Sequence, residues 1–218
     1  MLRGWTKWLA CAALLGAALA VQAQEQVDIQ LPPPRQEGGM PLLAALKLRQ
    51  SARAFAPDAL APQMLSDLLW AAAGINRPES GKRTAPTARN WQEVDVYVVL
   101  AEGAYRYDAQ NNVLRAVASG DLRALTGTQD FVAGAPVNLV FVVDTTRMAG
   151  VGPGEQQTLY AGTDTGFISE NVYLFCASEG LATVVRGSVD REKLGTALRL
   201  APEQRIILAQ TVGYPAGR

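Results

Sequence analysis

Residues 49–55 have the sequence Arg49-Gln50-Ser51-Ala52-Arg53-Ala54-Phe55 and stand at the end of a predicted helix. If the helix continues through them, Arg49 and Arg53 lie on one face, because residues four apart are neighbours on a helix. Two like charges so placed repel each other unless an anion lies between them. A phosphate suits that position, since arginine offers a planar fork of donors. The alternative interpretation is a solvated basic helix terminus that complements the helix dipole.

The first 23 residues are predicted to form a secretory signal peptide. Arg3 and Lys7 precede an apolar run over residues 8–21, and small residues follow up to Ala23. The run is short for a bilayer span, and an uncleaved membrane anchor is the alternative. We therefore expect an exported protein, periplasmic or secreted, whose mature chain is long enough for one domain.

The composition excludes several kinds of site. The sequence has no histidine, which removes Ser-His-Asp and Cys-His nucleophile systems and His-ligated metals, and no metal site is expected. The formal net charge is +0, so charge does not indicate nucleic acid or anionic lipid as a partner. Cys11 lies in the predicted signal peptide, which leaves Cys176 without an intrachain disulfide partner.

Hydrophobic periodicity predicts an α+β domain over residues 41–218, preceded by a linker rich in proline and glycine over residues 24–40. Its expected architecture is a mixed, mainly antiparallel sheet flanked by helices. A long helix rich in small residues is expected at the centre of the molecule or at a subunit interface. The expected helices cover residues 41–50, 62–73, 155–178 and 190–200, and the expected strands cover 94–100, 105–107, 113–117, 137–143, 181–185 and 205–212.

Three other segments adjoin predicted strands. Residues 86–92, Pro86-Thr87-Ala88-Arg89-Asn90-Trp91-Gln92, offer groups that can hydrogen-bond the edge of a flat heterocycle; a plain connection is the alternative. Arg186-Gly187 ends a strand where glycine lets a backbone N–H approach a ligand, although an ordinary turn has the same pattern. Residues 150–154 are rich in glycine, but Glu155 occupies the third glycine position of a dinucleotide fingerprint, which favours a flexible loop.

The order and spacing of these motifs resemble the nitroreductase family of flavoproteins. Residues 49–55 are similar to its Arg-x-Ser-x-Arg-x-Phe opening, and residues 86–92 to its Pro-Ser-Ser/Ala-x-Asn-x-Gln loop. Glu179-Gly180-Leu181, Arg186-Gly187 and Val212-Gly213-Tyr214-Pro215 follow in family order. The resemblance covers about residues 41–215. Within the family, the sequence is most similar to the branch that contains peptide azoline (thiazole/oxazole) dehydrogenases.

The resemblance implies an FMN-dependent oxidoreductase in which a homodimer binds flavin at its interface, with the long helix there. Electrons would pass through the flavin in two half-reactions, between an electron donor and a small-molecule substrate. Both subunits are implied to contribute to each site. The implied residues are Arg49, Gln50, Ser51 and Arg53 at the phosphate and flavin edge; Pro86, Thr87, Ala88 and Asn90 from the partner subunit; and the backbone of Arg186 and Gly187 at the reactive flavin nitrogen.

Three features depart from the family pattern. The sequence ends soon after Pro215, so Arg218 is the tail residue expected at the phosphate. Arg186 replaces an acidic residue of many nitroreductases, and its charge is expected to favour an anionic reduced flavin and anionic substrates. Export predicts an electron donor other than the cytosolic nicotinamide cofactors, or use as an oxidase or dehydrogenase. The alternative function is a non-catalytic flavin-binding or degenerate module with a structural or partner-binding role.

Overall fold

The structure is a computed structural model that describes residues 26–217. The predicted signal peptide, the start of the predicted linker and Arg218 lie outside the described residues. Within the described range, no helix has both the length and the hydropathy needed to cross a bilayer. The elements in chain order are β1 (Ile29–Gln30), α1 (Leu42–Leu48), α2 (Pro62–Ala73), β2 (Ile75–Arg77), β3 (Lys82–Arg83), β4 (Val94–Val99), β5 (Gly103–Asp108), β6 (Val113–Ser119), β7 (Val137–Asp144), α3 (Glu155–Glu179), β8 (Ala182–Arg186), α4 (Arg191–Ala197) and β9 (Gln204–Gly213).

The main sheet has seven strands in the order β1-β6-β5-β4-β7-β9-β8. Each described strand pair is antiparallel, including the predicted hairpin of β5 and β6. The central strands β4 and β7 are nearly continuous apolar runs, because both faces of the sheet are covered there. The predicted α+β class with a mainly antiparallel sheet is confirmed. A separate two-stranded sheet of β2 and β3 was not predicted.

Each face of the sheet has its own apolar core. Phe141 of β7 packs with Leu68 of α2 and Val172 of α3 on one face. Val140 of the same strand packs with Leu194 of α4 on the other face, because successive strand side chains point to opposite sides. Fully burying each such side chain contributes roughly 1.5–3 kcal/mol to stability. The sheet therefore separates an α3 side from an α4 side.

Helix α3 lies across the first face and contacts α1, α2, β8 and β9. It ends at Gly180, whose left-handed backbone (φ 69°) lets the Leu181 N–H donate to the carbonyl of Cys176 at 2.8 Å. The predicted long helix and its glycine end are confirmed. Its buried flank also carries polar side chains, among them Asp164, which is 2% exposed.

The first helix is shorter than predicted. α1 ends at Leu48, and Arg49 has extended backbone angles (φ −53°, ψ 123°). The chain must extend here because the Ala52 N–H donates to the Thr183 carbonyl of β8 at 2.9 Å. Arg49 and Arg53 therefore do not share a helical face, and the expectation built on a continuing helix is wrong.

The segment predicted as a linker is attached to the domain over its described part. Ile29 pairs with Leu114 of β6, and Leu31 is 3% exposed. The Arg35 side chain bonds Asp67 of α2, with 2.6 Å between Nε and Oδ2. No strand was predicted here because β1 has only two residues and a proline run follows it.

Candidate functional site

Residues 49–56 lie in an extended conformation along the free edge of β8 and beside the end of the chain. Beyond the bond from Ala52 to β8, Phe55 forms a bridge with Pro215, and the Ala56 N–H donates to the Tyr214 carbonyl at 2.9 Å. The Ala216 N–H donates back to Ala54 at 3.3 Å. These backbone bonds hold the segment between the sheet edge and the C-terminus. Arg218, predicted at the phosphate, lies just outside the described residues.

A tyrosine of α3 organises this segment. The Tyr173 hydroxyl lies 2.8 Å from Ser51 Oγ and accepts a hydrogen bond from the Val185 N–H at 3.0 Å. The Arg49 guanidinium lies 5.3 Å from the centre of the Tyr173 ring, within cation–π range. Tyr173 thus ties Ser51 and Arg49 to β8. Tyr173 was not predicted as a site residue, because a tyrosine in a largely apolar helix is explained by packing alone.

The free edge of β8 presents backbone groups beside Ser51. The Thr183 carbonyl points outward and accepts from the Ala52 N–H, and the Val185 N–H points outward and donates to the Tyr173 hydroxyl. Because outward groups alternate along an edge strand, Gly187 is the next outward position. Gly187 is exposed, as are Gln50 and Arg53. In the described part of the chain, neither Arg49 nor Arg53 forms an ion pair. The segment therefore offers two uncommitted cations, a hydroxyl and an edge of backbone.

The loop 86–92 is stabilised by its own polar side chains. Thr87 Oγ1 accepts from the Gln92 N–H at 3.0 Å, and the Gln92 carboxamide donates to Gly81 and accepts from Arg83. Asn90 and its neighbour at 89 have left-handed backbone angles (φ 55° and 51°), which asparagine tolerates well. Thr87 and Gln92 therefore shape the loop, while the exposed Pro86 and Asn90 face solvent in the single chain.

An acid of α3 holds this loop. The Ala88 N–H donates to Asp164 Oδ2 at 2.8 Å, and the Trp91 ring meets the Tyr160 ring edge-on at 5.5 Å. The loop is followed at once by Glu93, which is fully buried. Burial, and then the adjacent Asp164 carboxyl, raise the pKa of Glu93 to about 7. Asp164 was not predicted either, although a lone acid among small helix residues was an available signal.

The Arg186 side chain does not point toward residues 49–53, although its charge was predicted to lie near the flavin. Its side chain is 5% exposed and lies on the α4 side of the sheet, where it donates to the Thr126 carbonyl at 2.7 Å, Asn138 Oδ1 at 2.9 Å and Thr211 Oγ1 at 2.8 Å. Burial lowers its pKa to about 10, so it remains a cation at neutral pH. The sheet therefore separates this guanidinium from Ser51 and Tyr173. Its backbone remains at the end of β8, beside Gly187.

A single chain keeps the two predicted segments apart. Tyr173 follows Asp164 by nine residues on α3, which is about two and a half turns and roughly 13 Å along the helix axis. Half a turn puts the two side chains on opposite flanks of the helix. Cavities of about 640 and 490 Å³ lie elsewhere and contain none of the predicted site residues. Residues 49–53 and 86–90 are therefore two separate candidate half-sites on one chain.

Comparison with known proteins identifies the family. The family model described as "Nitroreductase family" matches residues 46–214, most of the chain. This chain belongs to the nitroreductase family. The crystal structure of a provisionally named nitroreductase from Ralstonia eutropha JMP134 has a TM-score of 0.83 and a sequence identity of 43% to this chain. The match covers 88% of this chain and 91% of that one. The resemblance found in the motifs is confirmed.

Two further relatives agree with this assignment. A protein of Methanocaldococcus jannaschii that is provisionally named a nitroreductase is 27% identical over 81% of this chain and 91% of its own length. A crystal structure of a provisionally named nitroreductase from Desulfovibrio desulfuricans, in complex with FMN, has a TM-score of 0.59 and 21% identity, and covers 82% of this chain and 88% of that one. The second likeness shows the shared fold, and the Desulfovibrio protein binds FMN in its crystal structure.

Proposed function

We propose that this nitroreductase-family protein is an exported, FMN-dependent oxidoreductase whose homodimer completes two flavin sites. The observation that carries the proposal is the pair of half-sites on opposite flanks of α3. A two-fold axis brings residues 49–53 of one subunit opposite residues 86–90 of its partner, and repeats the arrangement in the second site. In such a dimer, the two motifs of one chain can lie apart because each one meets the other motif of the partner subunit.

The groups around Ser51 fit the phosphate end of FMN. Within residues 26–217, Arg49 and Arg53 are cations without a carboxylate partner, and Ser51 adds a hydroxyl positioned by Tyr173. Each charge-assisted hydrogen bond to the phosphate would contribute roughly 1.5–3 kcal/mol to the binding free energy. Gly187 N–H, at the exposed end of β8, is the backbone donor for the flavin ring. When bound, FMN supplies the electron transfer, and the chain binds and orients it.

Exposed apolar side chains favour a dimer. In α1 only Ala45 is buried, whereas Leu42 and Leu43 are 62% and 79% exposed. In α3, Leu159 and Phe167 are 62% and 42% exposed. Scattered apolar residues are normal on a surface, but leucines along one short helix beside a half-site indicate a face that another subunit covers. This supports the predicted homodimer with α3 at its interface.

The export proposal rests on residues 1–23, and it determines which electron donors are available. A donor other than a nicotinamide cofactor, or use as an oxidase or dehydrogenase, follows from export. The narrower resemblance to peptide azoline dehydrogenases also remains a prediction. Residues 144–154, between β7 and α3, are the expected position for substrate selection.

The test is the absorbance spectrum of purified residues 24–218, with identification of the released chromophore. We expect a flavin spectrum and about one FMN per chain. A colourless protein that FMN does not reconstitute would contradict the proposal. Anaerobic reduction by a panel of donors, followed by reoxidation with acceptors, then separates an enzyme from a flavin-storing module, which would show neither step.

A further inference from the structure

Two buried carboxyl groups lie together behind the loop 86–92. Glu93 is fully buried, and neither of its carboxyl oxygens receives a hydrogen bond from a donor in the described part of the chain. Its carboxyl group instead lies against that of Asp164, which is 2% exposed. Two carboxyl groups can bond to each other only when one of them carries a proton, since ionised carboxylates only accept.

The surrounding charges do not replace that proton. Arg147, between β7 and α3, is the cation that faces Glu93, but it already donates to the Gln92 carbonyl at 2.8 Å and pairs with Asp95 at 2.5 Å. From α3, Asp164 adds a negative charge. Deprotonation of Glu93 would therefore leave two like charges in a site closed to water, where their repulsion is strong.

The second contact of Asp164 connects this pair to the half-site. Asp164 Oδ2 accepts the Ala88 N–H, in the middle of the loop that carries Thr87 and Asn90. The residues between Ala88 and Glu93 include three with left-handed backbone angles, so the loop adopts a tightly defined conformation that depends on its anchors. A separation of the two carboxyl groups would move one or both ends of the loop.

We propose that Asp164 and Glu93 are positioning residues, and that a proton on Glu93, donated to Asp164, holds the loop 87–90 in its flavin-binding conformation. Loss of the proton makes the two carboxylates repel each other, and their separation stretches the bond from Ala88 to Asp164. The loop then presents Thr87 and Asn90 less well to the partner subunit's flavin. Flavin affinity therefore falls as the pH rises through neutrality. This inference rests on the proposed FMN site for its functional part.

The experiment measures hydrogen exchange at the Ala88 amide in the protein freed of any cofactor, between about pH 6 and pH 8, corrected for intrinsic exchange. In the wild type we expect protection to fall by up to about tenfold over this range, because a group with a pKa near 7 loses most of its proton within one further unit. Glu93→Gln keeps a neutral donor at every pH, so its protection should be high and constant. Asp164→Asn should also remove the pH dependence.

Glu170→Gln is the matched control, because it removes an exposed acid from the same helix and should behave as the wild type. Constant protection in the wild type, or an unchanged pH dependence in Glu93→Gln, would overturn the inference. FMN titrations of the same variants separate the two proposals. Absence of FMN binding at every pH would defeat the proposed function, whereas FMN binding with a wild-type affinity that does not vary with pH would defeat only the functional part of this inference.

Discussion

The two half-sites are both attached to α3, but by different chemistry. Residues 49–56 are held by the Tyr173 hydroxyl and by backbone hydrogen bonds to β8 and the C-terminal segment, all of them uncharged groups. The loop 86–92 is held by Asp164, which lies against a second buried acid, Glu93. A change of pH should therefore act on one half of each proposed flavin site while the other half stays fixed.

The largest effect is expected at Arg186, which belongs to neither half-site but supports the strand under the first. Arg186→Met removes three buried hydrogen bonds, although Thr211 Oγ1 still donates to Asn138 Oδ1, and should lower the free energy of unfolding by about 3 kcal/mol. Urea unfolding measures the change. Arg53→Met, at an exposed position, should stay within about 0.5 kcal/mol of the wild type. Equal stability of the two variants would show that the guanidinium is not part of the core.

The next effect concerns the pH dependence of stability at Glu93. The unfolded chain releases this proton near its ordinary value of 4.5, whereas the folded chain holds it until about 7. Between these values the folded state binds more protons, so stability falls as the pH rises, by up to about 3 kcal/mol in total. Glu93→Gln should remove this contribution, and Ser51→Ala in the other half-site should not. Urea unfolding across this pH range gives both slopes, and identical slopes for wild type and Glu93→Gln would refute the prediction.

An intermediate effect is expected on cofactor affinity at Arg49. Arg49→Ala should weaken FMN binding tenfold or more, since the loss of a charge-assisted phosphate bond costs about 2 kcal/mol. Lys47→Ala is the control, because it removes a nearby exposed cation at the end of α1. Fluorescence titration with FMN gives both affinities. Wild-type affinity in Arg49→Ala would exclude this arginine from the phosphate site.

The smallest effect is expected at Tyr173. Tyr173→Phe keeps the ring under Arg49 but removes the hydroxyl that links Ser51 to Val185, at a cost of about 1 kcal/mol in stability. The affinity of the variant for FMN should fall more than its affinity for riboflavin, because riboflavin lacks the phosphate. Tyr160→Phe is the matched control at the other half-site, where the ring makes the contact. A Tyr173→Phe effect that is equal for both flavins would indicate a general structural role instead.

Local patterns predicted most of the fold, whereas contacts distant in sequence determined what was missed. The apolar run of β7 and the long α3 both follow from neighbouring residues. The early end of α1 depends on Thr183, far along the chain, so no local signal marks it. The same holds for the site: the two motifs were visible, but Tyr173 and Asp164 act on residues 122 and 76 positions away.

The most direct test of the paired half-sites uses mixed dimers. Arg49→Ala disables one half-site and Asn90→Asp the other, since aspartate tolerates the same left-handed backbone but opposes an anionic ligand. Chains with different tags are mixed, the heterodimer is isolated, and its FMN content is measured by absorbance. If each flavin is held by both subunits, both homodimers contain much less FMN than the heterodimer, which binds about one, because one of its two sites combines both intact halves. A heterodimer without FMN would show that both halves of a site come from the same chain, and would contradict the proposed dimeric site.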